Sequence, residues 1–256
     1  MRYLLSASCR PVLSRLAHER TLCAFDFDGT LSPIVEHPEQ AYMRERTRGL
    51  LARLSALYPC IIVSGRARAD VLKRAGNVGV RHIIGGHGAE TEYPESASQA
   101  EVRQRVQQWK ATLEDTLGLE PGLWIEDKGT SLAVHYRQYP GKLEARQRIA
   151  VATRQLEGVR VFGGKEVVNL VGVDSPHKGS ALAAERARFN CDWVLFVGDD
   201  DNDEDAFALE GNTVPVRVGR KVRSHALYFL RNQAEIDPLL DALVGLREAA
   251  TPAADS

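Results

Sequence analysis

Five short apolar runs constrain this chain most: "LCAF" (22–25), "CIIV" (60–63), "HII" (82–84), "WVLFV" (193–197) and "TVPV" (213–216). They do not show the polar–apolar alternation of a strand with one wet face. Stretches with helical spacing accompany them near 44–57, 67–74, 178–189 and 203–209. Apolar runs bounded by amphipathic helices are the pattern of parallel strands covered on both sides. The expected fold class is α/β, with a doubly wound parallel sheet.

The middle of the chain has a different rhythm. "AEVRQRVQQWKATLEDTLG" (100–118) is a long helical pattern, and "GLWIEDKGTSLAVHYR" (122–137) alternates like a hairpin turning at Lys128–Gly129. A helix follows over 141–156, then a second hairpin, "VRVFGGKEVVNLV", expected to turn at Gly163–Gly164. Helix, hairpin, helix, hairpin makes an α/β sandwich of its own. The expected organisation is a core from 1–91 and 173–249, with a sandwich over 92–172 inserted after the third core strand. "PESAS" (94–98) reads as a flexible lead-in, and 250–256 as a frayed, disordered tail.

Bulk composition removes several function classes. A net charge of −1 gives no electrostatic case for nucleic acid or an anionic membrane. The basic run "RVGRKVRS" (217–224) accordingly reads as solvated surface. No apolar run approaches the roughly 20 residues of a spanning helix. The first 20 residues, broken by Arg10 and Pro11, read as a leading helix, not a signal peptide. Cys9, Cys23, Cys60 and Cys191 form no CxxC pair, which suits buried free thiols and a cytoplasmic location.

Chemistry is expected at the carboxyl ends of the strands. Four polar clusters sit there: "DFDGT" (26–30), "SGR" (64–66), "GDDDNDED" (198–205), and Lys178 at the start of a helix. Taken singly, a lysine at a helix start is an ordinary solvated charge. An acidic run at a helix N-terminus is favoured by the dipole alone. "DFDGT" is harder to dismiss, because its four fixed letters arise by chance in about three chains of this size per thousand. Two carboxylates as close as Asp26 and Asp28 repel each other unless a cation sits beside them. Asp26, Asp199 and Asp200 supply hard oxygens suited to Mg²⁺, while Ser64 and Lys178 are donors suited to a phosphoryl group.

These clusters resemble the haloacid dehalogenase superfamily of phosphotransferases, whose mixed α/β cap the inserted sandwich resembles. Within it the chain is similar to the trehalose-6-phosphate phosphatases over about 20–245, through "FDFDGTLSP", "IIVSGR", "GGHGAE", "EDKGTSLAVHYRQYP" and "GDDDNDEDAF". It departs from that family's Glu-x-Arg/Lys-Pro run, where Asn169, Val171 and Gly172 stand instead. Asn202 also replaces a usual Thr in the acidic loop.

The resemblance implies a Mg²⁺-dependent hydrolysis of trehalose 6-phosphate, as in trehalose biosynthesis, through an aspartyl-phosphate on Asp26. Asp28 would be the general acid and base, free to carry a proton and offering the metal its backbone carbonyl. Asp203 would orient Lys178 or a metal-bound water, and Thr30 would hydrogen-bond its loop in place. Gly65, Arg66, Glu90 beside a hinge at Gly88, Lys128, His135, Arg137 and Asn169 would contact the substrate with Thr30. His135 and Arg137 are expected to share one strand face. The partners implied are a small sugar phosphate and a separate synthase. Alternatives are a phosphatase for another glycosyl phosphate, a phosphomannomutase-like isomerase, and a non-catalytic sugar-phosphate sensor.

Overall fold

Thr21–Phe25 (β2) and Cys60–Val63 (β3) are buried at every position, and they pair in parallel with Cys23 opposite Cys60. In a strand, successive side chains point to opposite faces, so covering both sides needs two layers of helix. The chain supplies them. Cys23, Phe25, Ile62, Leu195 and Val197 pack with Leu16, Leu51, Leu54 and Leu243. Leu22, Ala24, Ile61, Val63, Val194 and Phe196 pack with Ala181, Leu182 and Phe207.

The computed structural model describes residues 1–92, 97–118, 120–164 and 166–250. It divides into two units, Met1–Glu92 with His177–Ser256, and Tyr93–Pro176. Besides β2 and β3, the first unit contains β1 (Arg2–Tyr3), α1 (Arg10–His18), α2 (Glu45–Leu57), α3 (Arg68–Ala75) and β4 (His82–Ile84). In the second unit lie α4 (Ala97–Leu117), β5 (Trp124–Asp127), β6 (Ser131–His135), α5 (Lys142–Thr153), β7 (Val159–Gly164) and β8 (Val167–Gly172). The first unit then resumes with α6 (Lys178–Arg188), β9 (Trp193–Gly198), α7 (Glu204–Phe207), β10 (Thr213–Val218), β11 (Tyr228–Leu230) and α8 (Ile236–Ala250).

The first unit's sheet has seven strands in the order β1-β11-β10-β9-β2-β3-β4, all neighbours parallel. From β2 the chain winds one way through β3 and β4, and from β9 the other way through β10 and β11. The order therefore reverses between β2 and β9, which opens a crevice at their carboxyl ends. The second unit is an antiparallel sheet, β5-β6-β8-β7. Leu132, Val134 and Leu170 of its sheet pack against Val106, Trp109 and Leu113 of α4 and Ala145 and Ile149 of α5. Trp124, Glu126, Ala133 and His135 belong to the opposite face by the period of two.

Three expectations are corrected. The N-terminus opens as a strand on β11, and its helix starts only at Arg10. Pro11 lies in the first helical turn, where a missing N–H costs nothing, so it begins the helix rather than breaking it. Gly163 and Gly164 stay in the ladder opposite Val168 and Val167, and the turn comes after them, with Glu166 at φ 62°. The run 217–224 is not uniformly solvated, because Arg217 is buried. The sequence reading also lacks β11 and α8. Positions 94–96 of the lead-in and 251–256 of the tail lie outside the described residues. All four cysteines are free and buried. Among the described residues, no helix is long and apolar enough to cross a membrane.

Candidate active site

Asp26 follows β2 directly, and its N–H donates to the Val197 carbonyl of β9 at 2.8 Å. This bond fixes the carboxylate at the crevice, where the residue is 5% exposed. The chain then turns sharply, with Gly29 N–H donating to the Ser32 carbonyl and Ser32 N–H to that of Phe27, both at 2.8 Å. Gly29 has φ +75°, and a Cβ there would lie 2.0 Å from Asp199 Oδ2. Only glycine meets both conditions.

Lys178 opens α6, whose first turn is closed by His177 and Ser180, each bonding the other's backbone N–H. Its ammonium donates to Asp26 Oδ1 at 2.7 Å and to Asp203 Oδ1 at 2.6 Å, and the residue is 1% exposed. The other oxygen of Asp203 accepts the N–H groups of Asp199 and Asp200 at 2.9 and 3.0 Å. Asp203 thus ties the acidic loop to the lysine.

Oxygens of Asp26, Asp199 and Asp203 lie within 4.8 Å of one another. Burial, against the opposing pull of Lys178, and the neighbouring Asp203 and Asp199 push the Asp26 carboxyl well above its ordinary range. Asp199 is pushed up to about 7 by burial, then by Asp203 and Asp200. Burial alone would lower the Lys178 ammonium, but Asp203 and Asp26 outweigh it and raise it. Three carboxylates face one ammonium, and no group among the described residues donates a hydrogen bond to the Asp199 carboxylate. A hard, all-oxygen set with surplus negative charge fits a divalent cation such as Mg²⁺.

Other expected residues are placed differently. Asp28 is not free, because Arg66 donates to its two oxygens at 2.6 and 2.7 Å. The same guanidinium reaches Asp70 at 2.8 Å, so Arg66 serves a carboxylate pair. Asp200 lies outside the acidic triad and turns its carboxylate back to the Asp201 N–H at 2.8 Å. The Thr30 hydroxyl is buried without a hydrogen bond, and it is the Thr30 carbonyl that is held, by Gln233 at 2.9 Å. Ser64 Oγ accepts the Arg66 N–H at 3.1 Å. Gly65 leaves room for the His87 ring, which a Cβ would meet at 2.5 Å. Glu90 accepts the Arg68 N–H at 2.6 Å within the first unit.

In the second unit, Glu126 gathers two of the expected residues, taking His135 Nε2 at 2.8 Å and Lys128 Nζ at 3.7 Å. His135 stacks on Trp124 with centroids 4.1 Å apart and planes 8° from parallel. Arg137 lies two positions beyond the end of β6 at His135. It pairs with Glu166 at 3.3 Å. Asn169 is buried on β8 between Ala133 and Phe162. The sequence reading omitted Trp124 and Glu126, although their spacing of two within the hairpin was a usable signal. It also read Arg217 as solvated surface, with the rest of the basic run 217–224.

The Trehalose-phosphatase family model matches residues 24–232, most of the chain and all of the acidic site. The chain belongs to the trehalose-phosphatase family. A curated relative, the trehalose-phosphate phosphatase of Mycobacterium tuberculosis H37Rv, is 34% identical over 252 residues, covering 88% of this chain and 62% of the relative. That of Mycobacterium ulcerans is 36% identical over 218 residues, 76% of this chain and 53% of its own length. The chain thus spans less than two thirds of these trehalose-phosphatase relatives. Among solved structures, the C-terminal domain of a Candida albicans trehalose-6-phosphate phosphatase superposes with a TM-score of 0.73 at 25% identity. That match covers 93% of this chain and 97% of the domain. The fold is therefore the haloacid dehalogenase type seen in trehalose phosphatases, a parallel core with a separate antiparallel α/β unit.

Proposed function

We propose that the protein hydrolyses trehalose 6-phosphate to trehalose and phosphate, with Mg²⁺, through an aspartyl-phosphate on Asp26. The observation that carries this reading is the buried Lys178 held between Asp26 and Asp203, with the hydrogen-bond-free Asp199 carboxylate beside them. A purely structural acid cluster at the rim of a sheet has no need to bury an ammonium. A phosphoryl site does, because catalysis of phosphoryl transfer is chiefly positioning and charge stabilisation.

Bound at Asp26, Asp199 and the Asp28 carbonyl, Mg²⁺ would act as a Lewis acid on the phosphoryl oxygens. In the first step an Asp26 oxygen bonds to phosphorus, the bond to the sugar oxygen breaks, and Asp28 gives that oxygen a proton. In the second, Asp28 takes a proton from water, whose oxygen attacks phosphorus, releasing phosphate and restoring Asp26. Lys178 and Ser64 hold phosphoryl oxygens throughout. Because Arg66 occupies both oxygens of Asp28, it must move off one before Asp28 can act. Lys128, His135, Arg137, Asn169 and Glu90 are the sugar-selecting groups of this reading. A cytoplasmic location and a separate synthase that makes the sugar phosphate complete it.

A phosphatase for another glycosyl phosphate is the second reading, favoured by Asn169, Val171 and Gly172. An amide can hydrogen-bond a sugar hydroxyl but carries no charge. Phosphate release from a panel of sugar phosphates, with and without Mg²⁺, tests both. Highest efficiency with trehalose 6-phosphate and no release after chelation is the expected result. Release that ignores chelation, or a preference for a different sugar, overturns the corresponding part.

A further inference from the structure

The acidic loop after β9 carries more charge than a cation site can use. Asp199, Asp200, Asp201, Asp203, Glu204 and Asp205 stand within seven positions. Left to themselves they would repel one another and spread, and no single carboxylate would have a fixed place. Asp203 anchors the loop from inside, through Lys178 and two backbone N–H groups. The opposite side is held by a residue outside the family's acidic and lysine motifs.

Arg217 lies on β10, directly opposite Gly198, the residue before Asp199. Its side chain is 8% exposed, although it begins the most basic run in the chain. One terminal nitrogen donates to the Asp200 carbonyl at 3.0 Å and to Glu204 Oε1 at 2.9 Å. The other donates to Asp201 Oδ1 at 3.3 Å. The guanidinium also lies 6.0 Å from the centre of the Phe207 ring, so α7 covers it. Two acids and one carbonyl are thereby drawn to the β10 side of the loop. The second Glu204 oxygen takes the His225 N–H at 2.8 Å, and Lys221 reaches Asp201 from the surface.

We propose that Arg217 is a positioning residue for the divalent cation. It holds the loop so that Asp199 and Asp203 face Asp26, while Asp201 and Glu204 are kept away. This rests on the metal reading given under Proposed function. Three acceptors in different directions require a fork of donors, which a lysine ammonium cannot reproduce with the same geometry. The competing physical effect has the opposite sign. Considered only as a charge, a guanidinium near a cation site repels the ion, so removing it would tighten binding. The two effects are separable.

The test is Mn²⁺ binding to the full chain, followed by electron paramagnetic resonance of the free ion, with melting temperature as the check on folding. Arg217→Lys keeps the charge and removes the fork, whereas Arg217→Met would also take the buried cation from the half-buried Glu204. Residues that orient metal ligands typically change affinity 10–100-fold when altered, so Arg217→Lys should weaken Mn²⁺ binding by about tenfold or more. Lys221→Met removes a cation from the same Asp201 without touching the Asp200 carbonyl, and should stay within about twofold of wild type. If Arg217→Lys binds as wild type does, or more tightly, the positioning role is wrong. Equal weakening in both variants would place the effect on Asp201, which both residues contact, and not on the fork of Arg217, and would also overturn it. Wild type that binds no Mn²⁺ removes the metal reading itself and this role with it. Wild-type binding alongside an unaffected Arg217→Lys removes only the role of Arg217.

Discussion

The acidic crevice of the first unit and the open sheet face of the second both pair carboxylates with cations, but in different surroundings. Lys178 and its partners Asp26 and Asp203 have side chains 1%, 7% and 0% exposed. Glu126, His135 and Lys128 are 39%, 28% and 16% exposed. Removing one member of a buried set leaves the others uncompensated, which costs roughly 3–5 kcal/mol. An exposed pair contributes about 0–1 kcal/mol, because water replaces either partner readily. Fixed charges suit bond-making, where reorganisation during the reaction is the main expense. Replaceable ones suit discrimination between sugars, where a hydroxyl must displace what the protein holds. The contrast also implies that the crevice tolerates almost no substitution, while the sheet face can exchange Glu126 or His135 without losing the fold.

The sharpest way to break this comparison is Asp26→Asn. The amide has nearly the same shape and still accepts a hydrogen bond from Lys178, so the variant should fold. It cannot attack phosphorus, so acid-quenched turnover should trap no phosphoprotein and steady-state phosphate release should disappear. Phosphate release above background from this variant would show that another group is the nucleophile. The crevice would then be no more committed to chemistry than the sheet face.

A smaller effect is expected from Lys128→Ala. If the sheet face selects the sugar, the loss belongs to kcat/KM for trehalose 6-phosphate and not to a small aryl phosphate that presents no sugar. One lost polar contact of roughly 1–3 kcal/mol gives about a ten- to a hundredfold decrease. Equal losses on both substrates would assign Lys128 to the chemistry or to folding, and the division of labour between the regions would fail.

How far the sequence disclosed all this follows from the same physics. Asp26, Lys178 and Asp199 were legible because parallel strands buried on both faces are easily recognised, and such sheets collect function at their carboxyl ends. Asp203 followed from its place in the same loop. The partner of Asp28 was not legible, since Arg66 belongs to a neighbouring strand's loop and nothing local says which carboxylate it will grip. Arg217 was hidden for a related reason. Its neighbours Arg220, Lys221 and Arg223 make the segment look like solvated surface, and only the tertiary approach of the acidic loop makes its burial affordable. In the second unit the two helices and four strands could be read from period alone. The second hairpin's turn could not, because Gly163–Gly164 imitates a turn signal while the cross-strand pairs continue through it.

The smallest expected effect concerns the exposed pairs themselves, through pH. Glu126 is held below the ordinary glutamate range, chiefly by the hydrogen bond from His135, which outweighs partial burial, with Lys128 adding to it. A carboxyl lowered on folding is charged and stabilising above its unfolded value of 4.5, and its contribution is lost as pH falls through the lower folded value. Comparing urea unfolding of wild type and Glu126→Gln from pH 7 down to 3 isolates this contribution, because the amide has no proton to gain. Wild type should hold an advantage above about pH 4.5 that closes below it. With a side chain 39% exposed, solvent screening limits that advantage to roughly 1 kcal/mol or less. A stability difference that stays constant across the range would mean the pair contributes no charge-dependent stability at all. An advantage of roughly 3 kcal/mol or more would mean the opposite: the sheet face would then be locked as firmly as the crevice, and exposure would not be what separates the two regions.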